Sequence, residues 1–106
     1  MLEKTLKLNR LSSLYGGLLT DKQKEALDLY YNCDMSLAEL SVEMGVTRQG
    51  VRDFLTRAEK TLLDAEQKLG LRAKMDALVD KLTNVANEID GEQKEALNKI
   101  IGELEE

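Results

Sequence analysis

The sequence predicts an all-α protein built around a helix-turn-helix, with a long second motif helix and amphipathic helices towards its C-terminal end. Proline is absent from the 106 residues and only seven are glycine, while Leu, Ala, Glu and Lys are abundant. This composition favours helices over strands. The stretch 36–60 indicates the motif, because two helix starts and a glycine turn follow one another there at the spacing of a helix-turn-helix. The length suits one modest domain.

The first two helices precede the motif. The first is predicted over about 3–14 and ends at Gly16-Gly17. A capping box of Thr20 and Gln23 opens the second helix. Tyr30 and Tyr31 lie at its end; they could stack on bases, but aromatic residues there more often pack in a core. The candidate packing residues of this region are Leu2, Leu6, Leu11, Leu14, Tyr15, Leu18, Ala26, Leu27, Tyr30 and Tyr31.

The motif begins with a second capping box, formed by Ser36 and Glu39. Gly45 stops this short helix because a tight turn needs a residue that adopts a left-handed backbone at low cost. Thr47 then caps the second motif helix. Apolar residues are expected to bury one side of each helix: Leu37, Leu40, Val42 and Met44 in the first, Val46 in the turn, and Val51, Phe54, Leu55, Ala58 and Leu62 in the second. A plain helical hairpin is the alternative interpretation.

The second motif helix is predicted to continue to Gly70, because Ala65 and Leu69 extend its stripe. We therefore divide the chain into a helix-turn-helix domain, 1–70, and a C-terminal helical hairpin, 71–106. The apolar side of this hairpin is expected to comprise Leu71, Met75, Leu78, Val79, Leu82, Val85, Ile89, Ala96, Leu97, Ile100, Ile101 and Leu104. These residues must pack against the rest of the chain or against another copy. We expect a homodimer through this hairpin.

The net charge of −5 is unusual for a nucleic-acid-binding protein. Residues 1–60 contain nine basic and nine acidic residues, whereas residues 61–106 contain six and eleven. The whole negative excess therefore lies in the C-terminal part. This distribution weakens the interpretation as an ordinary repressor without excluding it.

The residues that support catalysis are largely missing from the sequence. Histidine is absent, so the single cysteine, Cys33, has no histidine partner that could activate its thiol. No glycine-rich phosphate loop occurs. We expect a non-enzymatic protein without cofactor or metal, in which Cys33 is a small, partly buried residue. No apolar run is long enough for membrane insertion and no leader opens the chain, so a cytoplasmic location is expected.

The second motif helix offers a candidate nucleic-acid-binding face opposite its buried stripe. With an advance of about 100° per residue from Val51, the side chains at 49, 53, 56 and 60 point away from the core and those at 52 and 57 flank them, while residue 48 lies at the exposed first turn. The candidate binding residues are Thr47, Arg48, Gln49, Arg52, Thr56, Arg57 and Lys60. Arg, Gln and Thr suit phosphates and base edges, although Asp53 lies among them and repels phosphate. A solvated face with an Asp53–Arg57 pair is an equally open interpretation.

Several separated blocks resemble the YlxM-like helix-turn-helix proteins. The matching blocks are 19–23, 29–31, 36–40, 45–51, 57–60 and the long segment 62–69, and the similarity covers roughly 3–75. Ser41 and Gly50 stand where this family is expected to have alanine. The same blocks resemble, more distantly, region four of sigma factors.

The resemblance implies an all-helical, cytoplasmic bacterial protein that is an accessory of the signal recognition particle pathway. By resemblance, its partners are the RNA of the particle and its GTPase protein. A sequence-specific DNA-binding transcription regulator of the sigma-region-four type is the alternative. A third possibility is an adaptor that binds only protein, with the motif as its scaffold.

Overall fold

A computed structural model describes residues 1–105, and these residues form six α-helices. They are α1 (Leu2–Tyr15), α2 (Asp21–Leu27), α3 (Leu37–Met44), α4 (Arg48–Leu69), α5 (Leu71–Ala86) and α6 (Gly91–Glu105). A 3₁₀ turn (Gly16–Leu18) follows α1, and a π-helical turn (Asp28–Asn32) follows α2. No strand occurs in this described part of the chain, which confirms the all-α class. None of its helices is long and apolar enough to cross a membrane.

The chain divides into two compact units, which we call unit 1 (residues 1–69) and unit 2 (residues 70–106). Unit 1 contains α1 to α4 and includes the helix-turn-helix. Unit 2 contains α5 and α6.

Both predicted capping boxes form in unit 1. The Thr20 hydroxyl accepts from the Gln23 amide at 3.1 Å, and the Gln23 side chain accepts from the Thr20 amide at 3.0 Å. The corresponding distances for Ser36 and Glu39 are 3.1 and 3.2 Å. Each box provides partners for amides that have none within the first turn of a helix. These bonds fix where α2 and α3 begin.

The turn between α3 and α4 has the predicted geometry. Gly45 adopts φ 66°, in the left-handed region. The Val46 amide donates to the Ser41 carbonyl, and the Ser41 hydroxyl donates back to the Val46 carbonyl. The Thr47 hydroxyl then accepts from the Gly50 amide at 2.9 Å, which caps α4. The turn is thus held on both sides of Gly45.

Helix α4 is the centre of unit 1, because α1, α2 and α3 all pack on it. Its residues Val51, Ala58 and Leu62 are fully buried. The core cluster comprises Leu8, Leu11, Tyr15, Leu19, Ala26, Leu27, Leu40, Met44, Val51, Leu55, Ala58, Leu62 and Ala65. Burial on this scale stabilises a domain by about 25 cal/mol per Å² of apolar surface removed from water.

Polar contacts also fix the rotation of α4 relative to its neighbours. Lys4 of α1 forms an ion pair with Glu59 at 2.8 Å and lies 5.7 Å from the ring centre of Tyr31. Tyr31 donates a hydrogen bond to the same carboxylate at 3.2 Å. The hydrogen bond to Glu59 raises the pKa of Lys4, and burial raises the pKa of Tyr31. Further along α4, Tyr15 donates to Glu66 at 2.7 Å.

Some predicted packing residues of unit 1 are exposed instead. They are Leu2, Leu6, Leu14, Leu18, Val42 and Leu69. Val42 is 84% exposed, because it lies two residues, about 200°, from the fully buried Leu40. The packing side of α3 is formed by Leu37, Leu40 and Met44.

Two other predictions for unit 1 need correction. The second helix does not run regularly through the two tyrosines, because Tyr30 and Tyr31 lie in a π-helical turn. Their predicted packing is found: both are half-buried against the core, and so is Phe54 of α4. Cys33 is exposed, because it follows the π-helical turn and precedes Asp34, whose φ is 56°.

Unit 2 consists of α5 and α6, which pack on each other. The turn between them includes Ile89, which was predicted to extend the stripe of α5. Within the described residues, only Ala86 and Ile101 of this unit are buried. Several of its expected packing residues are exposed, namely Leu71, Leu78, Val85, Ala96 and Ile100.

Candidate nucleic-acid interface

The predicted binding residues lie on the solvent side of α4. All seven are exposed: Thr47, Arg48, Gln49, Arg52, Thr56, Arg57 and Lys60. The face is directed outward because Val51, Ala58 and Leu62 are held in the core on the opposite side. We call these seven residues the α4 face. The structure brings them together on one helix; their binding role stays a prediction.

The N-terminal end of the α4 face is organised by its cap. The hydroxyl oxygen of Thr47 accepts from the Gly50 amide, and its O–H can still donate to a phosphate. A Cβ at Gly50 would lie 3.3 Å from this hydroxyl oxygen and 3.4 Å from Cβ of Val46. Glycine at position 50 therefore allows the close approach of the cap. Arg48 follows the cap at the first exposed turn.

Two members of the face are held by acidic neighbours on the same helix. Gln49 donates from its side-chain amide to Asp53 at 3.0 Å. Lys60 forms an ion pair with Asp64 at 3.1 Å. The sequence-based alternative paired Asp53 with Arg57, but Asp53 instead accepts from Gln49. Gln49 must therefore break its hydrogen bond to Asp53 before its side-chain amide can contact a base.

The three arginines of the face are the unpaired cations at this site. Within the described residues, Arg48, Arg52 and Arg57 form neither an ion pair nor a side-chain hydrogen bond. Arg48 and Arg52 are one turn apart, a spacing at which like charges repel each other by roughly 0.2–0.5 kcal/mol in a helix. A bound phosphate would relieve this repulsion, since a guanidinium binds phosphate through two parallel hydrogen bonds.

The surroundings limit where phosphate can approach. The exposed side of α3 presents Glu39 and Glu43, and their sequence spacing of four places both carboxylates on one side of a helix. The residue pattern of the second motif helix alone does not indicate this acidic side of the first motif helix. Unit 1 as a whole has ten basic and eleven acidic residues, so attraction to phosphate depends on the local cluster of arginines.

Comparison with known proteins identifies the family. Residues 2–102 match the model of the UPF0122 family, described as "Putative helix-turn-helix protein, YlxM / p13 like". A UPF0122 protein from Desulforamulus reducens is 44% identical over 102 residues, which cover 92% of this chain and 87% of that protein. One from Shouchella clausii is 40% identical over 106 residues, covering 99% and 97%.

A UPF0122 protein from Streptococcus gordonii is 52% identical over 68 residues, covering 64% of this chain and 62% of that protein. The family match extends through both units, and the helix-turn-helix in its description agrees with the capped α3, the left-handed Gly45 and the capped α4 of the structure. This chain belongs to the UPF0122 family of YlxM / p13 like helix-turn-helix proteins.

Proposed function

We propose that this protein is a non-enzymatic nucleic-acid-binding module and that the α4 face is its contact surface. The observation that carries the proposal is the group of three exposed arginines, Arg48, Arg52 and Arg57, which have no partner among the described residues. A cation without a carboxylate partner can neutralise a phosphate without first breaking an ion pair. The fixed rotation of α4 presents this group on a rigid helix.

The arrangement supports contacts to both phosphates and bases. Arg52 and Arg57 are about 140° apart around the helix, and Arg48 lies about 40° beyond Arg52. These arginines suit phosphates on either side of a groove. Gln49 and Thr56 lie between them, where side chains reach base edges. Asp53 disfavours phosphate at the centre, which directs backbone contacts to the edges of the face.

The biological setting follows from the resemblance of the sequence blocks. We place the protein in the cytoplasm as a regulatory accessory of the signal recognition particle pathway. Its proposed partners are the RNA of the particle and the particle's GTPase protein. Unpaired loops of a folded RNA display bases and phosphates that an exposed helix face can reach, whereas the deep major groove of an RNA duplex is too narrow for a helix.

The experiment compares binding of the full chain to signal recognition particle RNA and to random duplex DNA by fluorescence anisotropy. The test variant is Arg48→Ala/Arg52→Ala. We expect it to weaken RNA binding by about 1–3 kcal/mol for a specific arginine contact and to lower the salt dependence, with unchanged helical content by circular dichroism. The matched control is Lys7→Ala/Lys24→Ala, which removes two exposed charges from α1 and α2 of the same unit.

The outcomes separate the three classes of function. Preferential RNA binding that is lost in the arginine variant supports the proposal. Tighter binding to duplex DNA, again lost in the arginine variant, indicates the alternative transcription regulator, because a helix of this kind fits the DNA major groove. Equal affinities of wild type, arginine variant and control show that the α4 face is not the site. No measurable binding to either nucleic acid favours a protein-binding adaptor.

A further inference from the structure

Helix α5 of unit 2 carries an apolar stripe that is left exposed. Leu71, Leu78 and Val85 are spaced seven residues apart and are 42%, 44% and 49% exposed. Seven residues are close to two helical turns, so the three side chains lie in one row. The side of α5 that faces α6 is a different one, formed by the half-buried or buried Met75, Val79, Leu82 and Ala86.

Helix α6 also exposes apolar residues beside the side that packs on α5. Ile100 is 48% exposed, and Ala96 lies one turn before it. The side of α6 that faces α5 is marked by Leu97, Ile101 and Leu104, which are buried or half-buried. At 3.6 residues per turn, Ile100 is rotated from that side by about 80°, as Leu78 is in α5.

The two stripes lie on the same side of the hairpin. Both are rotated from the α5–α6 contact in the same sense when each helix is viewed from its own N-terminus. Helices joined by a four-residue turn run antiparallel, and equal rotations in antiparallel helices point to one common side. We call this side, formed by Leu71, Leu78, Val85, Ala96 and Ile100, the apolar face of unit 2.

The hairpin cannot complete a core from its own residues. Below about 40 residues a chain usually needs disulfides, metals or oligomerisation for stability. Unit 2 has 37 residues, and among those that the structure describes only Ala86 and Ile101 are buried. A second layer of helices over the apolar face would complete a four-helix arrangement.

The charges beside the apolar face identify what fits there. Lys74 and Lys81 flank the stripe of α5 on the side away from α6, and Glu92 and Glu103 flank Ile100 of α6 on the side away from α5. Lys99 lies behind the two glutamates, about 20° farther from the apolar face than Glu92. All five are exposed. The apolar face is therefore bordered by lysines on α5 and by glutamates on α6. A surface with these edges in the reverse order complements it, and a second copy rotated by two-fold symmetry presents that order.

We infer that unit 2 forms a homodimer in which two hairpins pack face to face as an antiparallel four-helix bundle, with α5 of one copy against α6 of the other. The two-fold axis runs parallel to the helices, so each α5 meets an α6 that runs in the opposite direction. The basic edge of one copy then lies along the acidic edge of its partner. Leu78 and Ile100 lie at the centre of the buried surface.

The dimer does not depend on the proposed nucleic-acid binding, because its evidence lies in unit 2 alone. Each dimer would carry two copies of the α4 face. Two linked binding surfaces raise the overall affinity for a ligand that can reach both of them.

The first experiment measures the mass of the full chain by sedimentation over about 1–100 μM, a range in which a micromolar dimer dissociates. We expect wild type to be a dimer at the upper end. Leu78→Lys places a charge at the centre of the interface and should weaken the dimer by at least about ten-fold. The matched control is Leu63→Lys on α4, since Leu63 has the same 44% exposure and should leave the dimer intact. Circular dichroism checks that both variants are folded.

The second experiment tests which helices meet. Lys74→Glu/Lys81→Glu makes both edges acidic and should weaken its homodimer, and Glu92→Lys/Glu103→Lys makes both edges basic and should do the same. Mixing the two variants should restore a dimer, because every α5 edge then meets an α6 edge of opposite charge. A monomeric wild type at about 100 μM overturns the inference. So does a dimer that survives Leu78→Lys unchanged, or one that is unaffected by the reversal of the lysines.

Discussion

At the scale of single residues, Gly45 sets the path of the chain between the two motif helices. Its φ of 66° is strained for any residue with a Cβ, while no atom lies within 4 Å of where a Cβ would be. Gly45→Ala should therefore destabilise the protein by about 1–2 kcal/mol through backbone conformation alone. Thermal unfolding followed by circular dichroism measures this loss.

The control for this substitution is Gly17→Ala in the 3₁₀ turn. Its Cβ would also meet no atom within 4 Å, but its φ lies outside the strained range. Alanine there should leave stability unchanged or raise it by about 0.4–1 kcal/mol, because the unfolded chain loses freedom. Equal melting temperatures for the two variants would show that the turn tolerates another conformation.

Local chemistry explains which residues could be predicted. The caps at Thr20, Ser36 and Thr47 depend on neighbours within three residues, so their bonds follow from the sequence. The exposure of Val42 depends on which side of α3 meets α4, and a helix of eight residues with several apolar positions does not determine this. The hydrogen bond from Gln49 to Asp53 competes with an equally spaced Asp53–Arg57 pair, and sequence spacing cannot choose between them.

At the scale of elements, α4 holds unit 1 together through one side of its surface. Leu62 is fully buried and Leu63, the next residue, is 44% exposed. Leu62→Ala should cost about 2–5 kcal/mol, because it removes buried methyl groups and leaves a cavity. Leu63→Ala should change the free energy of unfolding by only roughly 0.5 kcal/mol. Urea unfolding of both variants checks the predicted rotation of α4, and similar losses would contradict it.

The irregular end of α2 could not be predicted from periodicity. The π-helical turn at 28–32 adds one residue to a helical turn, and the Cys33 amide bonds to the Asp28 carbonyl at 3.2 Å. This turn places Tyr31 against Lys4 and Glu59, which belong to α1 and α4. The stabilising contacts come from distant parts of the chain, so a local sequence pattern does not predict them.

At the scale of the whole molecule, charge is divided between the two units. Residues 70–106 carry five basic and nine acidic residues, whereas residues 1–69 are nearly balanced. Unit 2 therefore repels phosphate more strongly than unit 1 does. This division of charge agrees with a nucleic-acid surface on unit 1 and a protein–protein surface on unit 2.

The two units should also differ in what their stability depends on. The core cluster of unit 1 runs from Leu8 to Ala65, so a fragment of residues 1–69 contains every residue of that cluster. Leu69, the last residue of α4 and of the fragment, is already exposed in the full chain, so ending the chain there uncovers no buried side chain of its own. We expect the fragment to fold cooperatively and to be monomeric. Its melting temperature should then be independent of protein concentration, because unfolding changes no association equilibrium.

The full chain should behave differently, because association stabilises the folded state by mass action. Its melting temperature should rise by a few degrees when protein concentration is raised ten-fold, and Leu78→Lys should remove this dependence. Calorimetry of the fragment, the full chain and the variant at matched concentrations measures all three. A fragment that fails to unfold cooperatively would show that unit 1 requires residues beyond 69, and a full chain with a concentration-independent transition would contradict the dimer.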